Sequence, residues 1–344
     1  MPTSNTCVKA GQHAVEMKQI PYPDTPGPGQ ALIRTTLSTI CGSDMHIVDE
    51  MPLPPGIPMG HEAIGIVEAV GAGVTNFKAG DRVATSCLLC CGTCRRCMEG
   101  EQQVCETFNA PANLLFGAQG EYFIANGAQA SLAKVPDSLS DEQVLFVTDI
   151  MSTGFGAIER AEMKPGDTVA IFAQGPVGLC ATAGARTYGA GTIIAVESIP
   201  ERVAMAKRFG ADIVLDPADA VAKIMELTNN KGVDVAVEAL GHQVTFENAC
   251  RVVRNGGTVS SVGVYSAFPE LKMPTAGSFI HRKLVTTLCP VGTARLDRLM
   301  ALIAGGKVDL TPLLTHSMKI SETPAGYELF RSKQGGVLKI ALRP

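Results

Sequence analysis

The sequence of 344 residues contains no long basic stretch, and its formal net charge is −4. Neutralising a phosphate backbone takes a clustered Lys and Arg surface, so nucleic acid is not an expected partner. No apolar run reaches the roughly 18 residues needed to span a bilayer, so no membrane role is expected. Met1 to Lys18 is polar and mixed, without the apolar segment of a secretory leader, and the expected location is the cytoplasm. Internal repeats and low-complexity segments are missing too. A disulfide framework fits poorly, because the chain is large and its cysteine count, eleven, is odd.

What is present is an ordinary globular composition, 46% apolar and 18% charged. The length predicts about two domains. The first 150 or so residues hold short β-branched runs, Gln30–Thr36, Ala63–Val70 and Asp81–Ala84 among them. Turn signals such as Pro26-Gly27-Pro28-Gly29 separate these runs and predict a domain of short strands. From about Thr153 the pattern changes. Strand runs at Asp167–Ala173, Thr192–Val196, Ile213–Leu215, Val233–Glu238, Thr258–Val262 and Leu284–Leu288 have helical stretches between several of them, including Pro176–Tyr188 and Pro200–Phe209. Such alternation predicts an α/β, doubly wound parallel sheet. A helix, Ala294–Ala304, and a terminal strand, Val337–Leu342, follow.

Six of the eleven cysteines fall between Cys87 and Cys105. Cys91, Cys94, Cys97 and Cys105 follow the spacing C-x2-C-x2-C-x7-C. Four thiolates can surround one zinc tetrahedrally, at about 2.3 Å each. Gly92 and Gly100 permit the tight turns this needs, and Arg95, Arg96 and local backbone amides can offset the negative charge. All four positions are then protein ligands, so the site is structural. Cys90 is adjacent, and spacing favours Cys91 over it without excluding it.

The run Asp167–Phe172 enters Ala173-Gln174-Gly175-Pro176-Val177-Gly178 and then a helix. This is the dinucleotide pattern G-x-G-x-x-G with Ala173 in place of the first glycine. Gly175 lets backbone approach a pyrophosphate, Gly178 allows close packing, and the helix N-terminus, with Pro176 and Val177, faces the phosphates. Glu197, 22 residues after Gly175, is placed to accept hydrogen bonds from the adenosine ribose hydroxyls. A carboxylate there repels a 2′-phosphate, which favours NAD over NADP, although Arg202 is near enough in sequence to serve a phosphate.

Three further segments carry ligand-type residues: Cys41-Gly42-Ser43-Asp44 with His46, Gly60-His61-Glu62, and Asp149. Each alone is weak, since a Gly-His-Glu is commonly a turn and an Asp before an apolar helix is commonly a cap. In this order and spacing, together with the cysteine knuckle, they resemble the zinc-containing medium-chain dehydrogenase/reductase family. The branch most like this sequence is that of bacterial secondary-alcohol dehydrogenases, in which Asp stands where other members have a second Cys. The resemblance spans essentially the whole chain. It implies a β-rich GroES-like catalytic domain (1–153 and 290–344) and a Rossmann dinucleotide-binding domain (154–289), with the C-terminal strand returning to the first.

The resemblance also implies a catalytic zinc on Cys41, His61 and Asp149, making two zinc ions per chain. The fourth position is open to water, substrate or Glu62, which either exchanges with water or orients the ligands from behind. Ser43 and His46 stand at the family's proton-relay positions, with the nicotinamide ribose between them in the path to solvent. Thr153 matches a residue beside the nicotinamide, and Lys339 a basic residue near the pyrophosphate. Cys87, Leu288 and Cys289 match pocket-lining positions, and the segment Phe108–Phe116 a lid. Cys87 replaces a bulky aromatic found in some relatives, which leaves room for a second substituent and so for secondary alcohols. The activity implied is alcohol oxidation to a ketone or aldehyde by a homotetramer. Two readings of the same fold compete: a zinc polyol or threonine dehydrogenase, and a structural family member without turnover. A zinc-free quinone or enoyl reductase would lack these metal residues.

Overall fold

The runs TVAIF at Thr168–Phe172 and TIIAV at Thr192–Val196 are buried at every position but the first. A strand that is apolar on both faces needs cover on both faces, which is the condition of a parallel sheet inside a layered α/β unit. The computed structural model describes residues 1–108, 113–266, 268, 270–275, 281–332 and 334–344. It divides into two compact units, Met1–Ser152 with Cys289–Pro344, and Thr153–Leu288.

In the unit Thr153–Leu288, six parallel strands lie in the order Ile213–Leu215, Thr192–Val196, Thr168–Phe172, Val233–Glu238, Val253–Ser261 and Lys283–Thr286. Numbered along the chain this is 3-2-1-4-5-6, the doubly wound arrangement in which ligands bind beyond the carboxyl ends of the strands where the order reverses. That reversal lies between Thr168–Phe172 and Val233–Glu238. Helices Pro176–Thr187, Pro200–Arg208, Ala220–Leu227 and Gln243–Val252 connect the strands. Phe172, Val196, Phe246 and Val259 belong to one buried cluster.

The strand expected at Thr258–Val262 begins five residues earlier, at Val253. Asn255-Gly256-Gly257 is a run of turn-favouring residues. Here it forms an irregularity inside the strand, where the register against Val233–Glu238 shifts and Gly256 takes φ 78°. Glycine makes such a bulge possible without ending the strand.

In the other unit, strands Leu314–Lys319, Lys339–Arg343, Ala31–Thr39, Ala63–Val70, Arg82–Thr85 and Leu132–Lys134 follow one another across a sheet, and Tyr122–Ala125 also pairs with Ala31–Thr39. The C-terminal strand joins this sheet through Ala341 opposite Thr39 and Leu342 opposite Ser38. A hairpin, Thr3–Gly11 with Ala14–Pro21, stands beside it. Helix Gly42–Asp49 leaves directly from the end of Ala31–Thr39, and β-strand Ala63–Val70 starts directly after His61-Glu62. Two antiparallel neighbours thus deliver Cys41 and His61 to the same end of the sheet. No helix among the described residues is long and apolar enough to cross a membrane.

Candidate functional site

The cysteine knuckle is built by its turns. Gly92 and Gly100 both take positive φ, 76° and 87°, and fold the chain back on either side of the short helix Arg95–Met98. The sulfurs of Cys91, Cys94, Cys97 and Cys105 all lie within 4.8 Å of one another. Cys91 and Cys97 are 3.9 Å apart, as are Cys94 and Cys105. Zinc–sulfur bonds of about 2.3 Å at tetrahedral angles require sulfurs about 3.8 Å apart, so the four residues fit that ion.

Backbone amides stabilise the thiolates. The amides of Thr93 and Cys94 donate to Cys91 Sγ at 3.4 and 3.2 Å, that of Cys91 to Cys105 Sγ at 3.4 Å, and that of Glu106 to Cys94 Sγ at 3.4 Å. Burial disfavours the ionised Cys91, but the Thr107 side chain and these donors outweigh it and hold the thiol down to about 5. The arginines take a different part from the one expected. Arg95 and Arg96 pair with Glu99 at 2.8 and 3.0 Å, a carboxylate being the stronger partner for a guanidinium. Cys90 turns away from the cluster, its thiol directed to the Ala130 carbonyl at 3.4 Å.

The second donor set joins the three separated segments. Cys41, His61, Glu62 and Asp149 each present a ligand atom within 4.8 Å of the others. Cys41 Sγ is 3.6 Å, and His61 Nε2 3.4 Å, from Asp149 Oδ2. A tetrahedral zinc with its usual bond lengths sets these separations at about 3.5 and 3.3 Å. Cys41, His61 and Glu62 are buried. Burial pushes the Cys41 thiol up, and it also pushes the Glu62 carboxyl up against the pull of Lys339. Glu62 Oε2 is buried with no hydrogen-bond partner, while Oε1 accepts from Lys339 Nζ at 2.6 Å. Thiol, imidazole and carboxylates with an orphaned oxygen among them form a set that a divalent cation satisfies.

Residues behind the donors aim them. Asp44 Oδ1 lies 3.0 Å from His61 Nδ1, at ion-pair distance though off the line of a well-aligned hydrogen bond. Asp44 Oδ2 accepts from the Cys41 amide and from Gln119 Nε2, each at 2.9 Å. Tyr327 in turn donates to Gln119 Oε1 at 2.9 Å. Burial alone would make His61 a weaker base, but the Asp44 charge together with side-chain contacts to Asp149, Asp44 and Cys41 more than reverses this. Nε2 is thereby the ring nitrogen left for the donor set. Sequence reasoning missed Asp44 in this role, as well as Gln119 and Tyr327. The usable signal was the spacing Cys41-x2-Asp44, in which a carboxylate at the third helical position reaches back to the residue before the helix.

Ser43 Oγ stands 3.1 Å from His61 Nε2. His46 follows one turn later on helix Gly42–Asp49, half-exposed, with Nδ1 3.1 Å from Glu50 Oε2. Cys87 and Cys289 are buried, and each places its sulfur within 4.8 Å of the Asp149 carboxylate. Leu288 is half-exposed and belongs to the unit Thr153–Leu288. Lys339, expected near the pyrophosphate, pairs here with Glu62 at 2.6 Å. Its ammonium is buried. Of the expected lid, residues 109–112 lie outside the described residues.

In the other unit, Gly175 precedes helix Pro176–Thr187, with Pro176 at its first turn. A Cβ on Gly178 would fall 2.0 Å from the Ala173 carbonyl oxygen, so this close packing admits only glycine. A Cβ on Gly175 would meet nothing within 4 Å, and its φ of −69° suits any residue. The protein's own packing therefore does not require glycine at 175. The open space before the helix N-terminus fits a pyrophosphate instead. Ala173 takes φ 72°, the conformation its missing glycine would have favoured. Glu197 is nearly buried, accepting from the amides of Gln174, Ser198 and Ile199 at 3.0, 2.8 and 3.1 Å. Arg202 Nη1 lies 3.9 Å from Glu197 Oε2. Thr153 is buried in helix Ile150–Arg160.

Comparison with known proteins agrees with this geometry. Residues 27–137 match the family described as alcohol dehydrogenase GroES-like domain, and residues 176–305 the family described as zinc-binding dehydrogenase. An alcohol dehydrogenase of Cupriavidus necator is 43% identical over 96% of each chain. The NADP-dependent isopropanol dehydrogenase of Thermoanaerobacter brockii is 34% identical, covering 91% of this chain and 92% of that one. Among solved structures, alcohol dehydrogenase TADH from Thermus sp. ATN1 superposes with a TM-score of 0.91 at 34% identity, covering 98% of this chain and 99% of that one.

Proposed function

The chain belongs to the zinc-containing medium-chain alcohol dehydrogenase family, and from that premise we propose that it oxidises secondary alcohols to ketones with NAD, reversibly. The observation that carries the reading is the convergence of Cys41, His61 and Asp149 at zinc-ligand separations. Zinc, when bound, supplies a Lewis acid for the alcohol oxygen, and the dinucleotide supplies the hydride acceptor.

The chain's own residues do the rest. Cys41, His61 and Asp149 hold the ion, and one thiolate with one carboxylate balances its charge. Asp44 fixes the His61 ring, and Lys339 holds Glu62 behind the set. Ser43, at the donor set itself, accepts the alcohol proton. His46 lies three residues on, on the same helix face, and its partial exposure suits it to hand that proton to solvent. Cys87 and Cys289 are small, buried and weakly polar, so they exclude water while leaving room for a second carbon substituent. Cys91, Cys94, Cys97 and Cys105 hold a second, structural zinc. We place the active form as a cytoplasmic homotetramer.

NAD is favoured by Glu197. Its carboxylate lies beside the Gln174 amide of the phosphate loop, and Arg202 faces that same carboxylate, which competes with a phosphate for it. The test is a panel of primary, secondary and diol alcohols against both dinucleotides, followed by absorbance of the reduced nicotinamide with and without a chelator. Chelator-sensitive oxidation of 2-butanol, with NAD preferred by about tenfold or more in kcat/KM, is expected; tenfold corresponds to about 1.4 kcal/mol. A preference for NADP overturns the reading of Glu197. Turnover confined to diols favours a polyol dehydrogenase, and no turnover on any alcohol with zinc and NAD bound overturns the whole reading.

A further inference from the structure

Next to the catalytic donor set lies a second group of ligating atoms that the reaction does not use as ligands. Cys87 Sγ, Cys289 Sγ and an Asp149 carboxylate oxygen all fall within 4.8 Å of one another. The three residues come from separate parts of the chain, yet direct contacts hold them together. The Cys87 amide donates to the Thr148 carbonyl at 3.0 Å, and Cys289 Sγ approaches the Asp149 carbonyl at 3.5 Å. The segment after Cys289 is fixed as well, since Ser152 Oγ donates to the Pro290 carbonyl and receives Arg295 Nε at 2.9 Å. Both cysteines are buried, 3% and 4% exposed, against Leu88, Val291 and Leu114. Two sulfurs held at this range in an apolar wall form a soft donor pair, and a carboxylate completes three ligands.

We propose that Cys87, Cys289 and Asp149 form a third metal site, which takes a soft divalent ion such as cadmium or surplus zinc beside the catalytic one. Asp149 turns Oδ2 toward Cys41 and His61, and a carboxylate can serve two neighbouring ions through its two oxygens. Two thiolates give such an ion more soft character than the mixed donor set beside it. Thiophilic metals are therefore drawn to this position, and an ion there occupies the space assigned above to the second substituent of the substrate. The proposal rests on the reading of Asp149 as a catalytic ligand only for its position, and its test does not depend on turnover.

The zinc-loaded full-length protein is titrated with cadmium under a phosphine reductant, and ions per chain are counted by native mass spectrometry. The expected result is one ion beyond the two already bound, read as a mass shift. That ion is lost in Cys87→Ala and in Cys289→Ala, while both variants keep the first two, which also shows that they are folded. Should the alanine variants fail to fold, Cys87→Ser, which exchanges one atom, replaces them and is expected to lose the extra ion too. A wild-type protein that stops at two ions overturns the proposal, and so do variants that still take a third. Alcohol turnover recorded on the same sample at two ions per chain, before any cadmium is added, separates the two readings. Turnover without a third ion leaves the dehydrogenase standing and removes this site; a third ion without turnover does the reverse.

Discussion

At the scale of single residues, Asp44 has the most dependents. It accepts from the Cys41 amide and Gln119 and faces His61 Nδ1, so one buried carboxylate aims two ligand segments. Partners of this kind are worth about 10–100-fold in metal affinity. Asp44→Ala is expected to weaken zinc at the Cys41 set by that order in chelator competition while the cysteine knuckle keeps its ion; equal loss from both sites would refute it. Ala173 is the opposite case, a residue at odds with its own conformation. Its φ of 72° costs a residue with a Cβ roughly 1–2 kcal/mol. Glycine returns about 0.5–1 kcal/mol of that as freedom in the unfolded chain. Ala173→Gly should therefore stabilise by about 0.5–1 kcal/mol, seen as a higher denaturant midpoint at constant slope. An unchanged or lower midpoint would show that the turn is not strained.

At the scale of elements, helix Gly42–Asp49, which carries Ser43 and His46, is tied to helix Thr323–Ser332 by a bidentate pair. Arg331 meets the two Asp49 oxygens at 2.7 and 3.0 Å, and His13 of the hairpin turn adds a third contact at 3.0 Å. Burial works to raise the Asp49 pKa, but the Arg331 and His13 hydrogen bonds outweigh it and hold the carboxyl below its ordinary value. A carboxyl depressed in the folded state contributes stability that is full above its unfolded value, near pH 4, and is lost as pH falls through the folded one. Arg331→Ala should thus cost roughly 1–2 kcal/mol at neutral pH, the pair being partly screened. The gap to wild type should close below about pH 4, and a gap constant with pH would contradict the assignment. Elements of this kind were unevenly legible. The strands Thr192–Val196, Ile213–Leu215 and Val233–Glu238 match their expected bounds residue for residue. In Thr192–Val196, buried at every position but the first, cover on both faces writes itself as an unbroken apolar run. Strand Thr3–Gly11 was missed, because most of what it buries, Ser4, Thr6 and Lys9 beside Cys7 and Val8, is polar and makes no apolar run. Its ladder partner, Ala14–Pro21, is next in the chain, but that segment is just as polar and mixed.

At the scale of the whole molecule, the legible part of the site was what repeats at short spacing or fixed order. The knuckle, the glycine turn and the ligand segments belong to that part. What stayed hidden were contacts between distant segments, such as Lys339 with Glu62, 277 positions apart. Such pairs exist only once a sheet has closed. The molecule also separates its chemistry by unit: every metal-type donor set among the described residues lies in the unit Met1–Ser152 with Cys289–Pro344. Gly175, Gly178 and Glu197 lie in the unit Thr153–Leu288. Removing Asp149 takes away one of the three ligands proposed for the catalytic ion and leaves the four sulfurs of the knuckle untouched. Asp149→Ala is therefore expected to fall from two zinc ions per chain to one and to lose alcohol turnover. It should bind NAD with its affinity nearly unchanged by calorimetry and unfold within a few degrees of wild type. Unchanged turnover would remove Asp149 from the metal set. A loss of NAD binding in step with the zinc would mean that the dinucleotide depends on the ion, against a glycine turn and a carboxylate that need no metal to hold their shape.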